Sequence, residues 1–453
     1  MPLRKGGPFY IPLNLNAVVQ ALLPGMPPTK EAAFLAANGY PLTTAMELAL
    51  TKPVKLSCAP AAAWVGAGEP VLTVTGPSFL VSWLEPLLIM LHYPIQVATA
   101  MKGDVLKRKF TFTSSDEARI IHIINAAVLA GTGIDVPVLE LTRDEGYQDR
   151  VARNILDAVF ALNGEAHRAF EVGLRSATCM AQHLRVLEVC NRLGIRKTSN
   201  VFGAWKNYMV PVGTTGHEHQ MRWSAGQTER NLDLPGFQAI RDMRPEPPSY
   251  LFDTFDPLKL GIPAAMRAIS EAPERPCTLR FDSGDQNLQY EAIRNSCNVS
   301  ATAPTLVFED GYTADKTAKN EVFCHLWPKE KRLYGYGGFF VADPSSTPYV
   351  RDAVSAAYKL SSTGGVPVWK CTPGKVSVPG KPVILEQVPL GTTIKHLIAQ
   401  EGETVEGYSP IVPRASFLPS KVETSFSGGT LRLLNRLDWQ KTDFLRSGAG
   451  TAG

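Results

Sequence analysis

From about residue 167 onward the chain repeats one pattern of apolar and polar positions. A short apolar run, rich in β-branched and aromatic residues, ends in polar residues or glycine, and a helix-length amphipathic segment follows. Such runs occupy 170–174, 197–201, 209–213, 250–252, 278–281, 305–308 and 332–335. Between the first two, residues 181–193 set Leu184, Leu187 and Val189 among charges at a spacing that suits one helix face. Strand-length and helix-length segments in alternation predict βα units around a parallel sheet. Seven units in so short a stretch predict a closed or nearly closed α/β (TIM-like) barrel rather than an open doubly wound sheet. Residues able to do chemistry stand at the ends of these runs: Arg175, Ser199, the 213–218 turn, Asp253, Asp282, Asp285, Asp310 and the 335–338 loop. In βα barrels the strand C-terminal ends converge on the face where active sites form.

The flanks read differently. The first hundred residues enclose short strand-like runs such as 70–74 in Gly- and Pro-rich chain, followed by an apolar stretch at 79–91. After Val341 the chain is rich in Gly, Pro and Lys, with strand-like runs at 366–370 and 382–385. The expectation is a second, β-rich α/β domain built from both chain ends. Residues 1–110 would give its N-terminal part and an interface helix, 111–341 the barrel carrying the active site, and 342–453 its completion, with a flexible tail from about 447. Stretch 79–91 is too short to cross about 30 Å of hydrocarbon, and Glu85 and Pro86 interrupt it. It reads as a buried or interface helix, and no membrane partner is expected.

Composition narrows the function class. Apolar residues make up 44% and charged residues 19% of the 453, ordinary for a soluble protein with a large core. A net charge of +4, spread along the chain, argues against a nucleic-acid partner. The first ten residues are basic but lead into no apolar segment with a cleavage site, so no signal peptide is expected. Seven scattered cysteines without a CxxC pair fit a reducing compartment, so the expected location is cytoplasmic. Cys324 beside His325 has no second pair to complete a metal site.

The candidate chemistry lies in four segments. Arg280-Phe281-Asp282-Ser283-Gly284-Asp285 delivers two carboxylates at a strand end, suited to a hard cation or ribose hydroxyls; alternatively Asp285 caps the next helix. Gly335-Tyr336-Gly337-Gly338 lets backbone N–H groups approach an anion, and Asp310-Gly311 belongs to the same rim or begins a turn. Gly213 to Glu218 presents His217 beside a carboxylate, as acid, base, nucleophile or structural histidine. Arg175 suits bidentate recognition of a carboxylate or phosphate, or a surface ion pair. Together they describe a site for a phosphorylated substrate, working by positioning and charge stabilisation.

TSN (198–200), GTTGHE (213–218), RFDSGD (280–285), FEDG (308–311), GYGG (335–338), YKL (358–360) and CTPGKVSVPGK (371–381) stand in the order in which they recur in the nicotinate phosphoribosyltransferases. The segment 69–91 is similar to that family's EPL-x-VEGP element and following interface helix. The resemblance runs from about residue 40 to about 390. It implies an irregular α/β barrel with a β-rich second domain, and a homodimer with shared active sites. It also implies nicotinate and phosphoribosyl pyrophosphate as substrates, with Mg²⁺ and coupled ATP hydrolysis. Carried over, His217 resembles the histidine that ATP phosphorylates. Asp282 and Asp285 would stand near the ribose, the pyrophosphate and its metal. Asp310, Gly311, Gly337 and Gly338 would hold the 5′-phosphate, and Lys359 would reach the pyrophosphate. Arg175, Ser199, Asn200 and Arg280 would line the base pocket. Two departures stand out: the stacking aromatic of the family's opening helix has only Phe9-Tyr10 as counterpart, and its doubled arginine is here Arg175-Ser176. The nicotinamide-specific relatives place an aspartate where this chain has Ser199, which favours nicotinate. The alternatives are a nicotinamide phosphoribosyltransferase and a non-catalytic phosphoribosyl-binding barrel.

Overall fold

The computed structural model describes residues 1–12, 14–23, 25–106, 145–213, 215–227, 232–243, 246–297, 303–342, 349–370 and 377–436. Thr214, Cys371 with the rest of 371–376, residues 111–144 of the expected barrel and the expected tail lie outside them. The N-terminal part carries strands β1 (Phe9–Tyr10), β2 (Lys55–Cys58), β3 (Trp64–Val65) and β4 (Leu72–Thr75), paired antiparallel as β1–β3 and β2–β4. The apolar stretch 79–91 is not one helix. Helices Ser78–Trp83 and Glu85–Ile89 meet at Leu84, and a third begins at His92. Pro86 explains the break: it has no N–H to donate and its ring collides with the preceding turn, so it fits only at the start of a new helix. Leu80, Leu84, Leu88, Ile89 and Leu91 are buried, as their apolar character requires. Among the described residues no helix is long and apolar enough to cross a membrane.

Each of the seven runs expected as strands forms one: β5 (Ala169–Glu171), β6 (Lys197–Thr198), β7 (Val210–Pro211), β8 (Ser249–Leu251), β9 (Thr278–Phe281), β10 (Thr305–Phe308) and β11 (Arg332–Tyr336). They make one parallel sheet in the order β7-β6-β5-β11-β10-β9-β8. Between the two edges no ladder forms among the described residues; the Thr215 hydroxyl donates to the Ser249 carbonyl at 2.9 Å across that side. Among the described residues the curled sheet is thus a half-barrel, open at one seam. Side-chain alternation sets its two faces. Phe281, Phe308 and Tyr334 stack across β9, β10 and β11, with centroids 4.6 and 5.4 Å apart, in a core shared with helix residues such as Leu187, Phe237, Ile262 and Ile293. Thr278, Arg280, Asp282, Val307 and Glu309 fall on the other face and line a central cavity.

Beyond the barrel, β12 (Ser362–Thr363) and β13 (Val366–Pro367) form a hairpin. Strands β14 (Pro382–Glu386), β15 (Thr393–Gln400), β16 (Ser409–Pro410) and β17 (Lys421–Phe426) form a sheet ordered β16-β14-β15-β17. One hydrophobic core draws on both chain ends, from Leu3, Ile11, Leu15 and Trp64 to Val354, Ile384 and Ile394. A buried ionic group spans the same junction. Glu69 lies 2.9 Å from His396 Nδ1 and accepts from Gly66 N–H and Thr424 Oγ1 at 2.7 and 2.6 Å. Burial alone would lower the His396 pKa, but Glu386 and Glu69 outweigh it and raise it to about 9.

Candidate active site

The cavity on the inner face has two chambers. The first, of about 680 Å³, runs between Phe170, Val172, Leu174 and Val307 and the polar groups of Arg175, Ser199, His217, Arg280 and Lys359. The second, of about 890 Å³, is bounded by the 310–313 and 335–338 turns and by Arg150, Arg153, Arg175 and Arg351. Val172, Arg175, Asp282 and Glu309 line both. The glycine turns fit this geometry closely. A Cβ on Gly173 would stand 2.8 Å from the Gly337 carbonyl, and one on Gly335 would stand 2.7 Å from Glu309 Cγ and 2.9 Å from the Phe170 ring. Asp310 and Gly311 are consecutive left-handed residues, φ 75° and 67°, which turns the chain sharply at the mouth of the second chamber.

His217 opens its helix at the end of the 213–218 turn and is buried. Its Nε2 lies 2.9 Å from Asp253 Oδ1 and 3.5 Å from Asp282 Oδ2. Lys370, 1% exposed, donates to the same Nε2 and, at 3.3 Å, to Asp253 Oδ2; the Ser283 hydroxyl also donates to that oxygen. Burial and the Lys370 charge lower the His217 pKa to about 4, so the imidazole is neutral at physiological pH. Burial works to raise Asp253, but Lys370 and His217 outweigh it and hold the carboxyl well below its usual range. Arg280 bridges the neighbouring pair, donating to Glu309 Oε2 at 2.7 Å and to Asp282 Oδ1 at 3.4 Å. Against burial, that guanidinium keeps Asp282 ionised, while Glu309 is raised by burial and by Asp282 despite Arg280.

The remaining candidates divide. Arg175 and Lys359 face the cavity and share Glu85, whose Oε1 lies 4.0 and 3.8 Å from their cationic nitrogens. Ser199 is exposed at the first chamber. Asn200 beside it is buried and spent locally: Oδ1 caps the next helix at Gly203 N–H and Nδ2 meets His183 Nδ1, each at 3.0 Å. Asp285 is exposed, and its Oδ1 caps the helix Gln286–Ser296 by accepting from Asn287 and Leu288 N–H. It does not join Asp282, because the turn carries it past the strand's inner face. Tyr10 lies outside the cavity, 8% exposed, its ring packed on Trp64 at 5.3 Å. Cys324 and His325 turn to separate partners, Asn320 Oδ1 and the Val322 carbonyl.

Three residues went unselected by the motifs. Asp253 stood at a strand end without a stated role. Glu309 was passed over for its neighbours Asp310 and Gly311, although alternation from the inward Val307 marks it. Lys370 ends a strand-like run and gave no signal. His217, Asp253 and Asp282 offer atoms within 4.8 Å of one another, the kind of donor set a metal would take. Their charges are already met by Lys370 and Arg280, so a resident cation coordinated there does not fit.

No protein-family model matches the chain, and no curated protein matches its sequence. Solved structures do match its fold. A crystal structure of nicotinate phosphoribosyltransferase from Vibrio cholerae superposes with a TM-score of 0.50 at 16% identity, over 80% of this chain and 79% of that one. One from Saccharomyces cerevisiae, described as a nicotinate phosphoribosyltransferase, gives 0.51 at 14% identity, over 80% and 84%. The chain thus shares the fold of these nicotinate phosphoribosyltransferase structures.

Proposed function

We propose that the protein transfers a phosphoribosyl group from phosphoribosyl pyrophosphate to nicotinate, giving nicotinate mononucleotide and pyrophosphate, with ATP as co-substrate. The observation that carries this reading is the pair of chambers meeting at the strand C-terminal ends. One has apolar walls from Phe170, Val172, Leu174 and Val307, and the other has glycine turns and arginines suited to phosphate. The anomeric C–O bond breaks with its electron pair leaving on pyrophosphate, and the pyridine nitrogen lone pair forms the new bond to C1. Arg175 and Ser199 face the ring's substituent, and Lys359 faces the departing diphosphate. Magnesium enters bound to the diphosphate as part of the substrate. The ATP role is carried by the likeness of the GTTGHE turn and supported by a His217 that is neutral at physiological pH. A two-fold homodimer and a cytoplasmic location belong to the same reading.

One observation favours a second reading, nicotinamide as the base: Arg280 already holds two carboxylates, which lessens its pull on a third. The experiment is nucleotide formation from phosphoribosyl pyrophosphate with nicotinate or nicotinamide in parallel, each with and without ATP and Mg²⁺. Nicotinate mononucleotide stimulated by ATP is the expected result. Product from nicotinamide alone moves the assignment to the sister activity, and no product with either base overturns both. His217→Ala should lose the ATP stimulation while keeping ATP-independent synthesis.

A further inference from the structure

The two chambers meet at a neck formed by Val172, Arg175, Asp282 and Glu309. A ligand with its 5′-phosphate among the glycine turns and its base in the other chamber must pass its sugar ring through that neck. The neck is anionic at one wall. Asp282 has both oxygens engaged, Oδ1 with Arg280 and Oδ2 near His217. Glu309 differs: its Oε2 accepts from Arg280 at 2.7 Å, while its Oε1 accepts no hydrogen bond among the described residues. The residue is only 5% exposed, so that oxygen is directed at the cavity and not at bulk water. Gly335 makes room for it, since a Cβ there would overlap the Glu309 side chain.

We propose that Glu309 is a catalytic residue of the phosphoribosyl transfer, its carboxylate stabilising the positive charge that develops on the sugar ring. The step rests on the transferase reading above. As the C1–O bond breaks, its electron pair goes to the pyrophosphate oxygen and the ring oxygen and C1 share a growing positive charge. The nitrogen lone pair of the base then closes the new bond. Glu309 gives and takes no atom; its carboxylate, held by Arg280 and only 5% exposed, supplies negative charge where little solvent screens it. Arg280 holds that carboxylate and Asp282 apart and in place.

The test compares wild type, Glu309→Gln and Glu309→Asp. Glutamine keeps the shape and an acceptor for Arg280 but removes the charge. Its kcat for nucleotide formation should fall about 100-fold, the scale seen when one preorganised electrostatic group is lost, with the KM for phosphoribosyl pyrophosphate unchanged within about threefold. Aspartate should recover part of kcat. Binding supplies a readout independent of turnover: by calorimetry, an iminoribitol 5-phosphate, whose ring nitrogen is cationic, against ribose 5-phosphate, whose ring is neutral. Wild type should prefer the cationic ring at least about tenfold, the scale of one desolvated charge contact, and E309Q should lose that preference while keeping ribose 5-phosphate affinity. An unchanged kcat in E309Q, or a retained preference, overturns the proposal. Equal loss of both affinities also overturns it, reducing Glu309 to a prop for Arg280. Should E309Q fail to fold, E309D and the wild-type preference decide: no preference for the cation in wild type removes the role. If wild type binds neither sugar phosphate and forms no nucleotide, the transferase reading itself has failed.

Discussion

Lys370→Met probes the charge balance around His217. Lys370, Asp253 and His217 are 1%, 0% and 7% exposed, so their interactions act in a dry environment. In the native protein burial and the Lys370 ammonium lower the imidazole from 6.5 to about 4, a gap corresponding to about 3 kcal/mol. Between those values the unfolded chain binds a proton that the folded chain refuses, so stability falls as pH drops from 6.5 toward 4. Methionine fills similar space but leaves Asp253 without its cation, and deleting one partner of a buried pair costs about 3–5 kcal/mol. The imidazole, 2.9 Å from Asp253, then takes up a proton and its pKa rises above 6.5. For such a raised histidine the sign reverses: its stabilisation is fully present below the unfolded value and is lost as pH climbs through the folded one. The penalty of the variant should therefore be largest near pH 8 and shrink by several kcal/mol toward pH 5. Urea denaturation of both proteins at about pH 5, 6.5 and 8 measures it. A penalty that does not change with pH would refute the argument that Lys370 holds His217 neutral.

Three shorter predictions follow the same logic. Ser199→Asp puts a carboxylate on the wall of the ring chamber, so kcat/KM for nicotinate should fall at least about tenfold relative to nicotinamide, read from paired assays with the two bases. Glu69→Gln removes one of the two carboxylates that raise His396 to about 9, and breaking this buried group should cost about 3 kcal/mol near pH 7 in a denaturation curve. In the native protein the His396 contribution is present below 6.5 and disappears as pH rises toward 9, so the variant should lie nearest to wild type above that pH. Gly335→Ala would press its Cβ on Glu309 and Phe170, destabilising by about 1–3 kcal/mol in a thermal melt and lowering kcat through the displaced carboxylate.

How far the sequence could be read depends on which physical rule each residue obeys. The strands were legible because alternation is local: Thr278, Arg280 and Asp282 face the cavity while Leu279 and Phe281 face the helices, and both sets are visible in five consecutive letters. Asp282 and Asp285 looked like a pair by spacing, yet only the first continues the strand. The second stands where the chain must satisfy the free N–H groups of a new helix, and its carboxylate is used there. The apolar stretch at 79–91 was legible as buried but not as two helices, although Pro86 carried that information. Glu309 obeys the same alternation as Asp282, so it could have been found by extending β10 one residue beyond Phe308, two past the inward Val307. Lys370 could not have been found this way. A fully buried lysine contradicts every burial preference, and its justification lies in Asp253 and His217, which precede it by 117 and 153 positions. A cation so placed is explained only when the fold has brought the segment after β13 against the cavity, which makes that segment part of the site's electrostatics and not merely its neighbour.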